Sequence, residues 1–135
     1  MKPVKLTDTL AVSGQIGREQ VAAIAAAGYR VLINNRPDGE EPGQPDSAAI
    51  AEAAALVGLA YHYLPVTAAS FPGPDLERMR LLLDDGPGPV FAFCRSGTRC
   101  ANLWVATRGI DERPQADEYA RSLGYDLSMA ARVLA

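Results

Sequence analysis

Three strand-length apolar runs separated by helical segments predict an α/β fold, a mainly parallel central sheet flanked by helices in a single domain spanning residues 1–135. The runs are Tyr29 to Asn35, Ala60 to Val66 and Val90 to Phe93, each bounded by glycine or proline turn signals. The chain has 135 residues, 48% of them hydrophobic and 21% charged, ordinary values for a folded domain with its own core.

Arg18 to Ala27 reads as the first helix, with Val21, Ile24 and Ala25 on one face and Gly28 as its stop. The strand Tyr29 to Asn35 follows, and then a loop from Arg36 to Pro45 that carries three prolines and two glycines. A second helix starts near Asp46 or Ser47, either of which can cap it, and runs to Val57 before Gly58. After the strand Ala60 to Val66 comes a loop from Thr67 to Pro74. The helix Asp75 to Leu83 places Leu76, Met79 and Leu83 on its buried side, and Gly86-Pro87-Gly88-Pro89 ends it. Val90-Phe91-Ala92-Phe93 is a continuous apolar run, as in a strand covered on both faces. Helical sequence follows from Arg99 to Thr107, and Asp111 to Ala135 reads as two further helices split at Gly124.

Thirteen basic and sixteen acidic residues give a net charge of −3, with no basic tract. That argues against nucleic acid and against an anionic membrane as partners. No segment approaches the ~18 apolar residues of a membrane helix, and the N-terminus lacks a signal-peptide core, so the expected compartment is the cytoplasm. Cys94 and Cys100 are the only cysteines and His62 the only histidine, too few for a structural zinc site; no metal and no organic cofactor are expected.

Chemistry concentrates after the last apolar run, in Cys94-Arg95-Ser96-Gly97-Thr98-Arg99. Small residues between a strand end and a helix start let backbone N–H groups turn inward around an anion, and arginines grip oxyanions bidentately. The same field lowers the pKa of a thiol, which makes Cys94 the candidate nucleophile with Arg99 as its catalytic partner. Arg95, Ser96, Gly97 and Thr98 then form the anion-binding loop. A buried structural cysteine would explain Phe93 better than a cysteine followed by two arginines.

Val12-Ser13-Gly14-Gln15, Ile33-Asn34-Asn35-Arg36-Pro37-Asp38-Gly39-Glu40, Leu64-Pro65-Val66 and the Cys94 loop together resemble the phosphatase-like domain of beta-lactamase hydrolase-like proteins. The resemblance covers nearly the whole chain and implies a fold like that of tyrosine and dual-specificity phosphatases. Members of that family are assigned both as phosphatases and as sulfur transferases, and some are fused to persulfide dioxygenases, which makes such an enzyme a candidate partner.

The loop text also resembles that of rhodaneses. Four residues separate Cys94 from Arg99, against five in cysteine phosphatases, so the cradle is smaller. Phosphate monoester hydrolysis calls for a general acid, and Thr67-Ala68-Ala69-Ser70 stands where such phosphatases usually carry an aspartate. Asp75 reads as the N-terminal charge of its helix. Asp38 or Glu40 is a substitute acid, with turn formation in Pro-Asp-Gly as the competing explanation. Phe93 stands where many phosphatases have a histidine. These residues place a rhodanese-type sulfurtransferase first, taking sulfane sulfur from thiosulfate or a persulfide through a Cys94 persulfide. A phosphatase acting on a phosphate ester through a Cys94 thiophosphate comes second, and a non-catalytic anion-sensing or partner-binding module third. Cys100 reads as a buried helix cysteine, with a resolving role toward Cys94 as the lesser alternative. Arg36, at a central strand's carboxyl end, either holds an anionic donor or pairs with Asp38 or Glu40. His62 reads as structural.

Overall fold

The computed structural model describes residues 1–134. Its strands are β1 (Val4–Thr7), β2 (Leu10–Ser13), β3 (Val31–Asn34), β4 (Ala60–Tyr63) and β5 (Val90–Phe93), and its helices α1 (Arg18–Ala26), α2 (Ser47–Leu56), α3 (Leu76–Asp85), α4 (Thr98–Thr107), α5 (Arg113–Ser122) and α6 (Ser128–Leu134). The five strands form one sheet in the order β1-β2-β5-β3-β4. β2, β5, β3 and β4 are parallel, and only β1 runs antiparallel, against β2. The expected α/β class with a mainly parallel, helix-flanked sheet is therefore what the chain adopts.

Alternation along the buried strands sorts side chains to the two faces of the sheet. Val12, Ile33 and Ala92 face a core shared with α3, α4, α5 and α6, which supply Met79, Leu103, Ala116 and Ala130. Ala11, Leu32 and Phe91 face α1 and α2 through Val21, Ile24 and Ile50. Tyr29 meets Phe91 edge-on at 5.4 Å between ring centroids, a favoured aromatic geometry.

Several boundaries differ from expectation for local reasons. The hairpin β1–β2 has no counterpart in the sequence reading. Its strands are four residues each, too short for a periodic signal, and the pairing is long-range: Thr9 C=O accepts the Val90 N–H at 2.8 Å. The strand expected to reach Val66 ends at Tyr63. Beyond it the chain stays tied to β3's extension through Leu64 N–H to Asn34 C=O at 2.9 Å and Val66 N–H to Asn35 C=O at 3.1 Å. Asp46 rather than Ser47 caps α2, its carboxylate accepting the Ala49 N–H at 2.8 Å. On α3 only Met79 is fully buried, while Leu76 and Leu83 are half-covered.

α4 is the pivot of the arrangement. Every residue from Cys100 to Thr107 is buried. Asn102 inside it donates to Thr98 C=O (2.9 Å) and Asp126 C=O (2.8 Å) and accepts the Ala130 N–H (2.9 Å), which fastens α4 to α6. A buried amide fully engaged in this way fixes helix register as well as contributing stability. None of the described helices is long and apolar enough to cross a membrane.

Candidate active site

β5 ends at Phe93, and the loop from Cys94 to Gly97 carries the chain into α4. The loop is pinned against the end of β2. Cys94 N–H donates to Ser13 C=O and Gln15 N–H to Arg95 C=O, both at 3.2 Å, and Gly14 pairs with Ser96. Gly14 has no room for a side chain, since a Cβ there would sit 3.0 Å from the Arg95 carbonyl oxygen. Gly97 caps α4 with φ +90°, a left-handed conformation that costs any side-chain-bearing residue roughly 1–2 kcal/mol. That conformation aims its N–H at Cys94 Sγ, 3.1 Å away.

Cys94 is fully buried beneath this loop. Its thiol pKa is pulled down from 9.0 to about 6, most strongly by the Cys100 thiol beside it. Burial opposes this, and the backbone N–H groups of Cys100, Ser96 and Gly97 add to it. The result is a thiolate at neutral pH. Cys100 moves the other way: burial and the neighbouring Cys94 charge push its pKa well up, so it stays a neutral thiol able to donate. It lies in the helix core, as expected, and also against the Cys94 sulfur. Ser96 and Thr98 hydroxyls bond one another at 3.1 Å, and Arg95 is exposed at the lip.

Arg99 brings the second half of the site in. Its Nη1 and Nη2 donate to the two oxygens of Glu40, each at 2.7 Å, and Nη1 also donates to Val66 C=O at 3.1 Å. Glu40 accepts in addition from Arg36 Nε at 2.8 Å. Its carboxyl is held at about 2, because the hydrogen bonds from Arg99 outweigh burial and Arg36 adds to them. A carboxylate so paired has no proton to give at neutral pH, which corrects the expectation of Glu40 as a general acid. Asp38 is also committed elsewhere: its carboxylate accepts the Ser47 N–H at 2.8 Å at the start of α2. Asp75 stands at the N-terminus of α3 without a side-chain capping bond.

Of the two readings of Arg36, the structure shows the ion pair with Glu40. The arginine is 1% exposed, with Nε on Glu40, Nη1 on Gln15 Oε1 at 3.0 Å and Nη2 on Glu41 Oε1 at 2.8 Å. The guanidinium is an internal anchor, and the carboxylates it pairs with are Glu40 and Glu41, not Asp38. His62 lies on edge strand β4 beside Arg78 Nη2 at 3.2 Å, and Phe93 packs into the α1–α2 face.

Gln15, Glu41, the Val66 carbonyl and Tyr125 were not singled out from sequence. The Tyr125 hydroxyl adjoins Gly97, where an added Cβ would lie 3.5 Å from it, and its pKa is raised by burial and by the nearby cysteine charges. Only their positions at the carboxyl edge of the sheet or after a helix turn could have flagged them. Among the described residues no group of three metal-ligating side chains lies together.

A thiolate cradled by backbone N–H groups between a parallel strand and a helix, closed by an arginine, belongs to the cysteine-loop proteins of tyrosine-phosphatase-like fold. The particular family follows from comparison with known proteins. Residues 4–111 match the phosphatase-like domain of beta-lactamase hydrolase-like protein, and the chain belongs to that family. It is 34% identical over 137 residues to the beta-lactamase hydrolase-like protein of Agrobacterium fabrum, which covers 99% of this chain and 32% of that protein. It is 38% identical over 133 residues to the counterpart from Xylella fastidiosa strain Temecula1, covering 96% and 31%. The chain thus spans about a third of the length of these curated relatives. A provisionally assigned phosphatase from Neisseria meningitidis superimposes with TM-score 0.72 at 35% identity, covering 93% of this chain and 90% of that one. Tk-PTP in its active form shares the fold at TM-score 0.70 and 16% identity, covering 98% and 92%.

Proposed function

We propose that the chain is a cysteine-dependent hydrolase of phosphate monoesters. The observation that carries this reading is the Cys94 thiolate at the base of an amide-lined loop whose last residue is Arg99, in a member of a phosphatase-like family. The Cys94 sulfur attacks phosphorus, the S–P bond forms, and the P–O bond to the leaving group breaks. Inward N–H groups of the loop and the Arg99 guanidinium take the charge on the equatorial oxygens. Water then attacks the thiophosphate, which releases phosphate and restores the thiolate.

The carboxylates of Asp38 and Glu40 are engaged with the Ser47 N–H and with Arg99, and Asp75 stands at the start of α3; in this reading the leaving oxygen draws its proton from solvent. Such a site favours aryl esters, whose phenolate leaves with little protonation. Turnover of p-nitrophenyl phosphate that disappears in Cys94→Ser is the expected result. Oxyanion binding that survives Cys94→Ser, with turnover in neither variant, would instead mark an anion-sensing module.

One observation favours a second reading. The four-residue interval between Cys94 and Arg99 makes a small cradle that suits sulfur transfer, in which a terminal sulfur anion needs only N–H groups and positive charge. The residues alone put this reading first, and the family and fold comparisons lend more support to the phosphatase. Under it, thiosulfate or a persulfide is the donor, a persulfide dioxygenase the partner and the cytoplasm the compartment. Intact mass after incubation with thiosulfate decides between them: a gain of one sulfur, absent in Cys94→Ser, replaces the phosphatase reading.

A further inference from the structure

Arginine carries five N–H donors in a rigid planar fork. On Arg99, Glu40 takes one donor from Nη1 and one from Nη2, and Val66 C=O takes the other on Nη1. Two remain, the Nε–H and the second Nη2–H, on one edge of the guanidinium. They point the same way and match two oxygens of one tetrahedral anion. Among the described residues neither has a partner. Arg99 is the last residue of the loop that begins at Cys94, and its guanidinium feels the Cys94 charge.

We propose that Glu40 is a positioning residue, its carboxylate clamping the far end of Arg99 so that the Nε–Nη2 edge is held ready for an oxyanion bound over Cys94. This rests on reading the loop as an oxyanion site, whichever group is transferred. Glu40 can act so because it is itself fixed. Arg36, buried and bonded to Gln15 and Glu41 as well, holds Glu40 Oε1 at 2.8 Å from the opposite side. Val66 adds a third fixed point, since its carbonyl rides on the stretch that stays bonded to Asn35. A guanidinium held on two sides keeps its rotamer before the anion arrives, and the anion then binds without first ordering it. The competing account is that Glu40 occupies Arg99 in place of the substrate and must be displaced. The donor count speaks against it, because the fork that an oxyanion needs is still open.

The test is a double-substitution cycle on the intact chain, with Glu40→Gln, Arg99→Lys and both together. Tungstate affinity and the kcat and KM for p-nitrophenyl phosphate are the readouts, and circular dichroism melts check folding. Glu40→Gln is expected to weaken tungstate about tenfold and lower kcat by about tenfold or more, with KM changing less. In the Arg99→Lys background the same substitution should change either quantity less than about twofold, because the clamp has lost what it clamps. Equal losses in both backgrounds would overturn the inference, and so would tighter tungstate binding in Glu40→Gln, the signature of a displaced competitor. Should Glu40→Gln fail to fold, Glu40→Asp runs the same cycle, keeping the charge beside Arg36 on a side chain one methylene shorter. If the wild type binds tungstate yet hydrolyses no aryl phosphate, the phosphatase reading fails alone and the tungstate cycle still decides. If it binds no tungstate, both fall.

Discussion

The loop from Cys94 to Arg99 and the segment from Arg36 to Glu41 meet at one guanidinium, yet they are built from different materials. The first is contiguous and works through backbone: the Gly97 N–H, the turn into α4 and the stops set by Gly14 and Gly97. The second works through side chains, a chain of ion pairs from Glu41 to Arg36 to Glu40 to Arg99. Backbone donors place charge stabilisation wherever the loop conformation puts it. Ion pairs between long side chains set orientation only when one member is buried, and here Arg36 is that member. The cradle is a property of local sequence, whereas the aim of its arginine is a property of the tertiary fold.

Disturbing either half should leave different signatures. The largest effect is expected from Gly97→Ala, which forces a side chain to φ +90° beside Ser13 and Tyr125. The N–H leaves its line to Cys94, and turnover should fall by roughly a hundredfold, measured with an aryl phosphate. Arg36→Met attacks the other half. It strands Glu40 and Glu41 without their buried cation and should cost about 2 kcal/mol in a denaturant melt, with activity falling only as far as Arg99 loses its hold. An equal collapse of turnover in the two variants would erase the distinction drawn above.

Cys100 sharpens the chemistry of the first half. Its thiol is the strongest influence lowering the Cys94 pKa, so Cys100→Ala should move the midpoint of iodoacetamide alkylation of Cys94 from near pH 6 upward. Cys100→Ser, with a better donor, should hold it or bring it lower. Cys100 itself should resist labelling with or without peroxide, and loss of two hydrogens from the intact mass after peroxide would show instead that it resolves an oxidised Cys94 as a disulfide.

The smallest effect is the acid limb of stability. Glu40 is held at about 2 in the fold against an ordinary 4.5. Its contribution is complete above about pH 4.5 and is lost as pH falls toward 2. Glu40→Gln should flatten that limb in a pH series of thermal melts.

The contrast also explains what the sequence disclosed. A strand, a loop and a helix that follow one another from Val90 to Thr107 were readable because their residues are contiguous, although the loop is also pinned to the end of β2 by Ser13, Gly14 and Gln15. The reading of α2 narrowed to two capping residues, and the structure chose between them by one hydrogen bond. Glu40 and Arg99 stand 59 positions apart, and no local pattern announces that they meet. For the same reason Arg36 kept two explanations, and the hairpin β1–β2, made by pairing with β5, went unread.

The anchoring of α4 bears on where a transferable unit begins and ends. The match to the family model ends at residue 111, yet Ala116, Ala120, Leu127 and Ala130, all beyond it, close the core over Leu103 and Val105. Asn102 takes two of its three partners from Asp126 and Ala130. A fragment trimmed to the matched region would keep every loop residue and lose the wall behind the helix that carries them. In this chain the span of the family-model match is shorter than the packed core, and an expression boundary has to follow the core.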